Sequence, residues 1–410
     1  MKPTAPPPVD RRTFIKTSAG AASLLAVPHL AAAAHARGSD TMRVGLIGCG
    51  GRGTGAAANC VASSPGVEVR AMGDLFPDRL RGSMDTLRKN LCDAFKVTDD
   101  TAFAGFDAYE RVIASDVDLV ILATPPHFRP MHLEAAVRAG KHVFMEKPVA
   151  TDPTGVRSVI ASSKLAAERG LGIVAGTQRR HQAPYLEIMQ RIHDGAIGEI
   201  VGGQCWWNQG GLWVRHREEG WTDMEWQCRN WLYFTWLSGD HICEQHIHNI
   251  DVMNWALRST PVKATGMGGR EVRTGAEYGN IYDHFSVEYE YPGGALLHTS
   301  RRPIANTASR VAERVVGTQG VSDPGRSIEG PNAYRWRGES RDPYEQEHTD
   351  LIASSRAGEP LNEGVRVAES TLTAIMGRMS TYTGKTVTWE QALASELDLS
   401  PPSYEFGPVP

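Results

Sequence analysis

The 410-residue chain predicts an α/β protein: an N-terminal doubly wound parallel sheet, then an α+β domain with an open, largely antiparallel sheet. Three observations carry this reading. Short apolar runs alternate with helical stretches from residue 42 to residue 175, as when crossover helices join parallel strands. A glycine-rich turn, Gly48-Cys49-Gly50-Gly51-Arg52-Gly53, follows the first apolar run. Beyond about residue 177, helices are instead grouped with consecutive alternating strands.

The run 43–47 reads as the first strand and 54–62 as a small-residue helix. A second strand at 67–72 ends at Asp74. The buried-type run 117–123 stops at Thr124-Pro125-Pro126-His127, where the prolines break it. A helix at 130–139, a strand at 142–145 and the triplet Glu146-Lys147-Pro148 come next. Residues 152–169 followed by 171–175 add another helix and strand. In the second half the pattern predicts a helix at 185–193 ending at Gly195 and a strand at 199–208. A loop rich in Trp and Gly then leads to a helix at 240–257. Strands at 262–267, 285–291 and 295–299, a helix at 366–382 and a Pro-rich tail complete the chain, with no internal repeat.

Ahead of all this stands Asp10-Arg11-Arg12-Thr13-Phe14-Ile15-Lys16, then an apolar run at 19–30 and the small-residue segment Ala34-His35-Ala36. This is the layout of a cleavable twin-arginine export signal. The expected division is therefore a signal peptide at 1–36, a dinucleotide-binding domain at 42–177, a substrate and oligomerisation domain at 178–390 and a tail at 391–410. The expected location is the periplasm or beyond, where no soluble nicotinamide pool carries electrons away and an enzyme must keep its cofactor.

Hydrophobic residues make up 41% and charged residues 22%, near globular averages. The formal net charge of -4 supplies no basic field for nucleic acid, and no later apolar stretch approaches a membrane span. The six cysteines include no C-x-x-C pair and read as packed, reduced residues.

The glycine turn follows a strand and opens a helix, and Asp74 closes the second strand 24 positions after Gly50. That context makes it a dinucleotide fingerprint: glycines admit a pyrophosphate to a helix N-terminus, while the acid accepts from ribose hydroxyls. An acid there repels a 2'-phosphate, which favours NAD over NADP, although Arg79 is a candidate phosphate partner.

The fingerprint, the Ala-Thr-Pro-Pro-His segment at 123–127, Glu146-Lys147-Pro148, Arg180, Gly195-Ala196-Ile197-Gly198-Glu199 and His248-Asn249-Ile250-Asp251 occur in order. In this ordered set the chain resembles the Gfo/Idh/MocA oxidoreductases, the glucose-fructose oxidoreductase and inositol dehydrogenase relatives, across 42–390. The resemblance implies a cofactor site at Gly48, Cys49, Gly50, Gly51, Arg52, Gly53, Asp74, Thr124, Pro125, His127, Glu146 and Lys147. It implies Lys147 near the nicotinamide and the reacting hydroxyl, and His248 as general base. Many relatives carry Asp where Glu244 stands, and two residues four apart share a helix face; which of Glu244 and His248 takes the proton stays open. Arg180 and Asp251 are the implied substrate contacts. Relatives often pair through the open sheet face, implying a dimer or tetramer.

Seven of ten tryptophans fall between Trp206 and Trp236. Trp213 and Trp226 stand among polar residues and suit a sugar platform, although aromatic residues also commonly fill cores. His241, Glu244 and His248 have spacing that could hold a divalent metal, but no thiolate or further ligand is evident and no metal is expected. The sequence thus points to an exported oxidoreductase with tightly bound NAD that acts on a ring hydroxyl of a sugar, glycoside or polyol. A redox-neutral NAD-dependent glycosidase and a non-catalytic sugar-binding protein are the alternatives.

Overall fold

A computed structural model describes residues 41–409; the export-signal segment lies outside these residues. Six parallel strands form the first sheet: β1 (Met42–Ile47), β2 (Val67–Asp74), β3 (Ala102–Ala104), β4 (Leu119–Leu122), β5 (His142–Met145) and β6 (Ile173–Ala175). Their order is β3-β2-β1-β4-β5-β6, so the chain starts in the middle and winds outward both ways. The reversal falls between β1 and β4, where a doubly wound sheet opens a crevice at its carboxyl edge. The crossover helices are α1 (Gly51–Ser63), α2 (Pro77–Leu91), α3 (Ala108–Ala114), α4 (Arg129–Arg138) and α5 (Pro153–Glu168). Strand side chains alternate between the two faces. Leu119 and Ile121 join the core under α1 and α2, while Val120 and Leu122 join the core under α3, α4 and α5. Burial on both faces explains why these strands read as continuous apolar runs.

The second sheet has nine strands: β7 (Ile200–Gln209), β8 (Lys263–Gly269), β9 (His284–Glu290), β10 (Leu296–Pro303), β11 (Arg310–Gly317), β12 (Val321–Asp323), β13 (Ser327–Glu329), β14 (Tyr334–Arg335) and β15 (Val387–Thr388). They run in the order β14-β13-β12-β11-β7-β10-β9-β8-β15. All neighbours are antiparallel except β7 and β10, which pair in parallel. The sheet is mixed and mostly antiparallel. Helices α6 (Ala183–His193), α7 (Asp223–Arg229), α8 (Thr235–Ser238), α9 (His241–Glu244), α10 (Ile247–Leu257), α11 (Pro343–Arg356), α12 (Gly364–Thr383) and α13 (Trp389–Ala394) complete the fold. Apolar residues of α10 and α12 share a core with the inward residues of β9 and β10, leaving Thr265, Met267, Ser286 and Glu288 exposed on the other side of the sheet.

Two departures from the sequence reading bear on the site. The helix expected at 240–257 is interrupted: α9 ends at Glu244 and α10 begins at Ile247. Asp240, at a positive φ of 71°, starts α9, and the His246 amide reaches five residues back to the His241 carbonyl. The usual four-residue ladder is thereby broken. Helix α11, which the sequence pattern did not announce, packs back on α1.

Candidate active site

After β1 the chain turns at Gly48, with φ +98° and its Cβ position 2.5 Å from the Ala123 backbone, a place for glycine alone. A Cβ on Gly53 would lie 1.9 Å from the Gly48 carbonyl oxygen, so α1 approaches the strand only through this glycine. Gly50 and Gly51 face open space, and no side chain caps the start of α1. Its first amides are therefore available to an anion, and they open into a cleft of about 810 Å³ lined by all six fingerprint residues. This arrangement fits a dinucleotide pyrophosphate.

Asp74 sits in the same cleft, 7% exposed. Its carboxylate accepts from the Cys49 amide at 2.6 Å and the Phe76 amide at 2.8 Å. Two of its roughly four acceptor positions are used, leaving capacity for ribose hydroxyls. Burial pushes its pKa up, opposed by those two amides and the Arg79 charge. Thr124 and Pro125 line the cleft with Phe128 and His132. His127 does not: its Nε2 lies 2.8 Å from the Tyr404 hydroxyl and its ring meets Trp236 edge-on. Arg79, Arg215, Trp213 and Trp231 form the remaining wall near Asp74.

The C-terminal tail crosses this region. The Leu399 amide donates to Asp152, and the Met224 amide donates to the Gly407 carbonyl. Between them Tyr404 packs on Phe128 and Phe106, while Phe406 stacks on Phe76 with ring centroids 6.0 Å apart. Phe76, Phe106 and Phe128 all line the cleft.

Lys147 follows β5 and reaches the helix break. Its Nζ donates to the Glu244 main-chain carbonyl at 2.5 Å and to Glu244 Oε1 at 3.1 Å. In an unbroken helix that carbonyl would accept from the His248 amide; here the amide turns to Gln245 at 3.4 Å. Glu244 and His248 therefore do not meet through a regular i, i+4 spacing; the interruption frees the carbonyl that holds the lysine. His248 stacks on Trp207 at 5.6 Å, and its Nδ1 is enclosed without a hydrogen-bond partner. Burial, with Lys147, Arg179 and Arg52 nearby, holds its pKa well below the ordinary value, so the imidazole is neutral. Glu146 is buried against Arg52 of the fingerprint. Lys147, just past the end of β5, thus meets the α9–α10 break that carries Glu244 and His248, and is connected to the fingerprint through Glu146 and Arg52.

The other sequence candidates lie elsewhere. Arg180 donates to both Asp251 carboxylate oxygens, at 2.8 and 3.0 Å, and Arg366 and Ser370 complete that carboxylate's shell. The arginines pull the Asp251 pKa down to about 2 against its burial. Asp251 and Arg180 form a brace that engages both carboxylate oxygens and the guanidinium Nε and Nη2. Trp213 lines the dinucleotide cleft with Asp74 instead of meeting Lys147. Trp226 lies in α7, not in a loop; its Nε1 donates to the Arg215 carbonyl and its ring meets Phe234. His241 is fully buried, with burial and nearby Arg301 holding it far below its ordinary pKa. Among the described residues no group of three or more His, Cys, Asp or Glu is arranged to hold a metal.

Residues 42–175 match the model of an oxidoreductase family with an NAD-binding Rossmann fold, GFO/IDH/MocA, and residues 185–322 match that family's C-terminal domain. The chain belongs to the GFO/IDH/MocA oxidoreductase family. A relative is the inositol 2-dehydrogenase/D-chiro-inositol 3-dehydrogenase of Shouchella clausii, 28% identical over 53% of each chain. Another is a glycosyl hydrolase family 109 protein of Streptomyces coelicolor, 30% identical over 45% of this chain and 36% of that one. The chain thus spans about half the length of the first and about a third of the second. In fold it is similar to the aldose-aldose oxidoreductase of Caulobacter crescentus, with a TM-score of 0.68, 19% identity, and coverage of 85% of this chain and 99% of that one.

In this GFO/IDH/MocA oxidoreductase, sequence reasoning missed the side chains around His248. Trp207 lies on its ring and Arg179 over Trp207 at 5.8 Å. It is Arg179, not its neighbour Arg180, that turns toward the histidine. Nothing local distinguishes two adjacent arginines; only the partners Glu313 and Asp251 do, and those lie 134 and 71 residues away. The Arg129 guanidinium is also buried, with Nε and Nη1 unpartnered and Glu146 and Glu244 as its nearby charges.

Proposed function

We propose that the protein is an exported oxidoreductase that retains NAD and oxidises a ring hydroxyl of a sugar, glycoside or polyol. The carrying observation is the Lys147 ammonium held at the freed Glu244 carbonyl beside a neutral His248. A bound nicotinamide supplies the hydride acceptor. The fingerprint amides, Asp74, Thr124 and Pro125 would hold the dinucleotide. Lys147 has three N–H donors, two of them on Glu244. The third is left to steady a substrate oxygen as its negative charge develops. His248, neutral because of its burial and cationic neighbours, has a lone pair for the hydroxyl proton. Glu244 can take that proton onward.

Asp74 supports NAD over NADP. Tight retention is supported by the aromatic tail across the adenosine end of the cleft. Export is supported by the Arg11-Arg12 leader, and a homo-oligomer by the exposed sheet face bearing Met267. The inositol dehydrogenase relative supports a polyol or sugar substrate. The glycosyl hydrolase relative supports a second reading, in which oxidation is followed by elimination, water addition and re-reduction.

The test is denaturing release of cofactor from desalted protein, combined with a panel of sugars, polyols and aryl glycosides. Stoichiometric NAD and a change at the nicotinamide absorbance with a sugar are expected. Aglycone release without net redox change would favour the hydrolytic reading, and protein without NAD would defeat the retention mechanism.

A further inference from the structure

A second cavity, about 360 Å³, lies between the segment after β6 and the β11–β12 edge, and the proposed reaction does not use it. Two of its wall residues lead directly to the reaction centre. Arg179 covers Trp207, which stacks on His248. Tyr344 lies under the Arg52 guanidinium at 4.7 Å, and Arg52 pairs with Glu146 beside Lys147. The cavity is therefore linked to His248 through Trp207 on one flank and to Lys147 through Arg52 and Glu146 on the other.

Its chemistry is mixed and balanced. Arg179 and Arg326 face Glu313 and Asp323, two cations against two anions, so neither an anionic nor a cationic ligand is favoured. Gln178 donates its amide N–H to the Tyr344 hydroxyl at 3.4 Å, while its Oε1 is enclosed without a hydrogen-bond partner. That unmet acceptor calls for a hydroxyl or N–H donor. The Tyr344 ring and the exposed Val311 side chain add apolar surface. Neutral, polyhydroxylated and partly apolar is the character of a sugar ring, and the volume lies at the small end of ligand clefts, roughly 300–1,000 Å³.

We infer that this cavity is an outer carbohydrate subsite: it takes the second sugar of a disaccharide or larger glycoside whose first ring is presented to Lys147 and His248. The inference rests on the proposed sugar oxidation and narrows its substrate class to glycosides and oligosaccharides in preference to free monosaccharides.

The experiment compares glucose with cellobiose and maltose, and galactose with lactose, by nicotinamide absorbance on the NAD-loaded protein. The same pairs are titrated calorimetrically into protein whose bound cofactor has been reduced. The variants are Asp323→Ala and Arg326→Ala, singly and together; both side chains are exposed. At least one disaccharide should exceed its monosaccharide about tenfold in kcat/KM and in affinity, the equivalent of about 1.4 kcal/mol. The double variant should erase that gain while monosaccharide kinetics hold. Oxidation of monosaccharides with no disaccharide gain, or a gain untouched by the double variant, overturns the subsite and leaves the sugar oxidation standing. Failure of every sugar to bind or react overturns both.

Discussion

At the scale of single residues, the site separates the placement of an ammonium from the handling of a proton. Lys147→Ala should lower turnover by about two to four orders of magnitude while bound NAD persists, the range for a lost acid-base group. Glu244→Gln keeps the main-chain carbonyl that holds Lys147 and removes only the charge. It should leave KM within about threefold and shift the pH-rate profile; an unchanged profile would exclude Glu244 from the proton path. His181 makes a separate prediction for stability. Its Nδ1 is 2.6 Å from Asp350 and its Nε2 is 3.5 Å from Glu363. These carboxylates outweigh burial and raise its pKa from 6.5 to about 9. A raised value stabilises the fold fully below pH 6.5, and that contribution fades as pH rises and is gone above about 9. The loss is on the order of 3 kcal/mol. Thermal melts from pH 6 to pH 10 should show a wild-type decline that His181→Gln lacks.

At the scale of elements, the tail and α9 deserve the sharpest tests. Tyr404 and Phe406 each set an aromatic ring against residues lining the dinucleotide cleft, contacts worth about 0.5–1.5 kcal/mol apiece. Replacing both with Ala should speed cofactor release about tenfold, read by stopped-flow dilution, with little change in melting temperature. The start of α9 depends on Asp240. Its carboxylate takes the buried Arg301 guanidinium, the Tyr382 hydroxyl and two amides. Asp240→Ala strands Arg301 in the core and should cost about 3–5 kcal/mol in denaturant unfolding. Legibility differed sharply among such elements. Strands β4 and β5, buried on both faces, wrote themselves as apolar runs, and the glycines of the first turn had only one structural use. The break before α10 left no periodic trace, because most of residues 241 to 257, apolar and polar alike, are buried on both sides of it. Strands β11 to β14 went unread: their exposed positions, Arg310, Arg314, Asp323, Glu329 and Arg335 among them, fall irregularly between half-buried ones, which blurs alternation. Helix α11 hides its buried face behind Glu347 and His348. Trp213 and Trp231 could be seen to cluster but not to point toward Asp74, since that placement is made by tertiary packing alone.

At the scale of the whole molecule, the last quarter of the chain returns to the first. Helix α11 lies on α1 and ties Glu347 to Arg52. Asn362 bridges to Ile173 at the edge of the parallel sheet, α12 packs on α5, and the tail ends over Phe76. The division into a dinucleotide-binding half and a C-terminal half is therefore a division of topology, not of support. It bears on recombination: a chimera that grafts residues 42–177 onto a relative's remaining sequence would sever the Arg52–Glu347 pair and uncover Phe76. Such a graft should express as an aggregating or cofactor-free protein, whereas one that also carries residues 343–409 should keep both solubility and bound dinucleotide. The unit that can be exchanged between these proteins is discontinuous in sequence, two segments bracketing the mixed sheet, and crossover points chosen at the apparent domain boundary would fall in the wrong place.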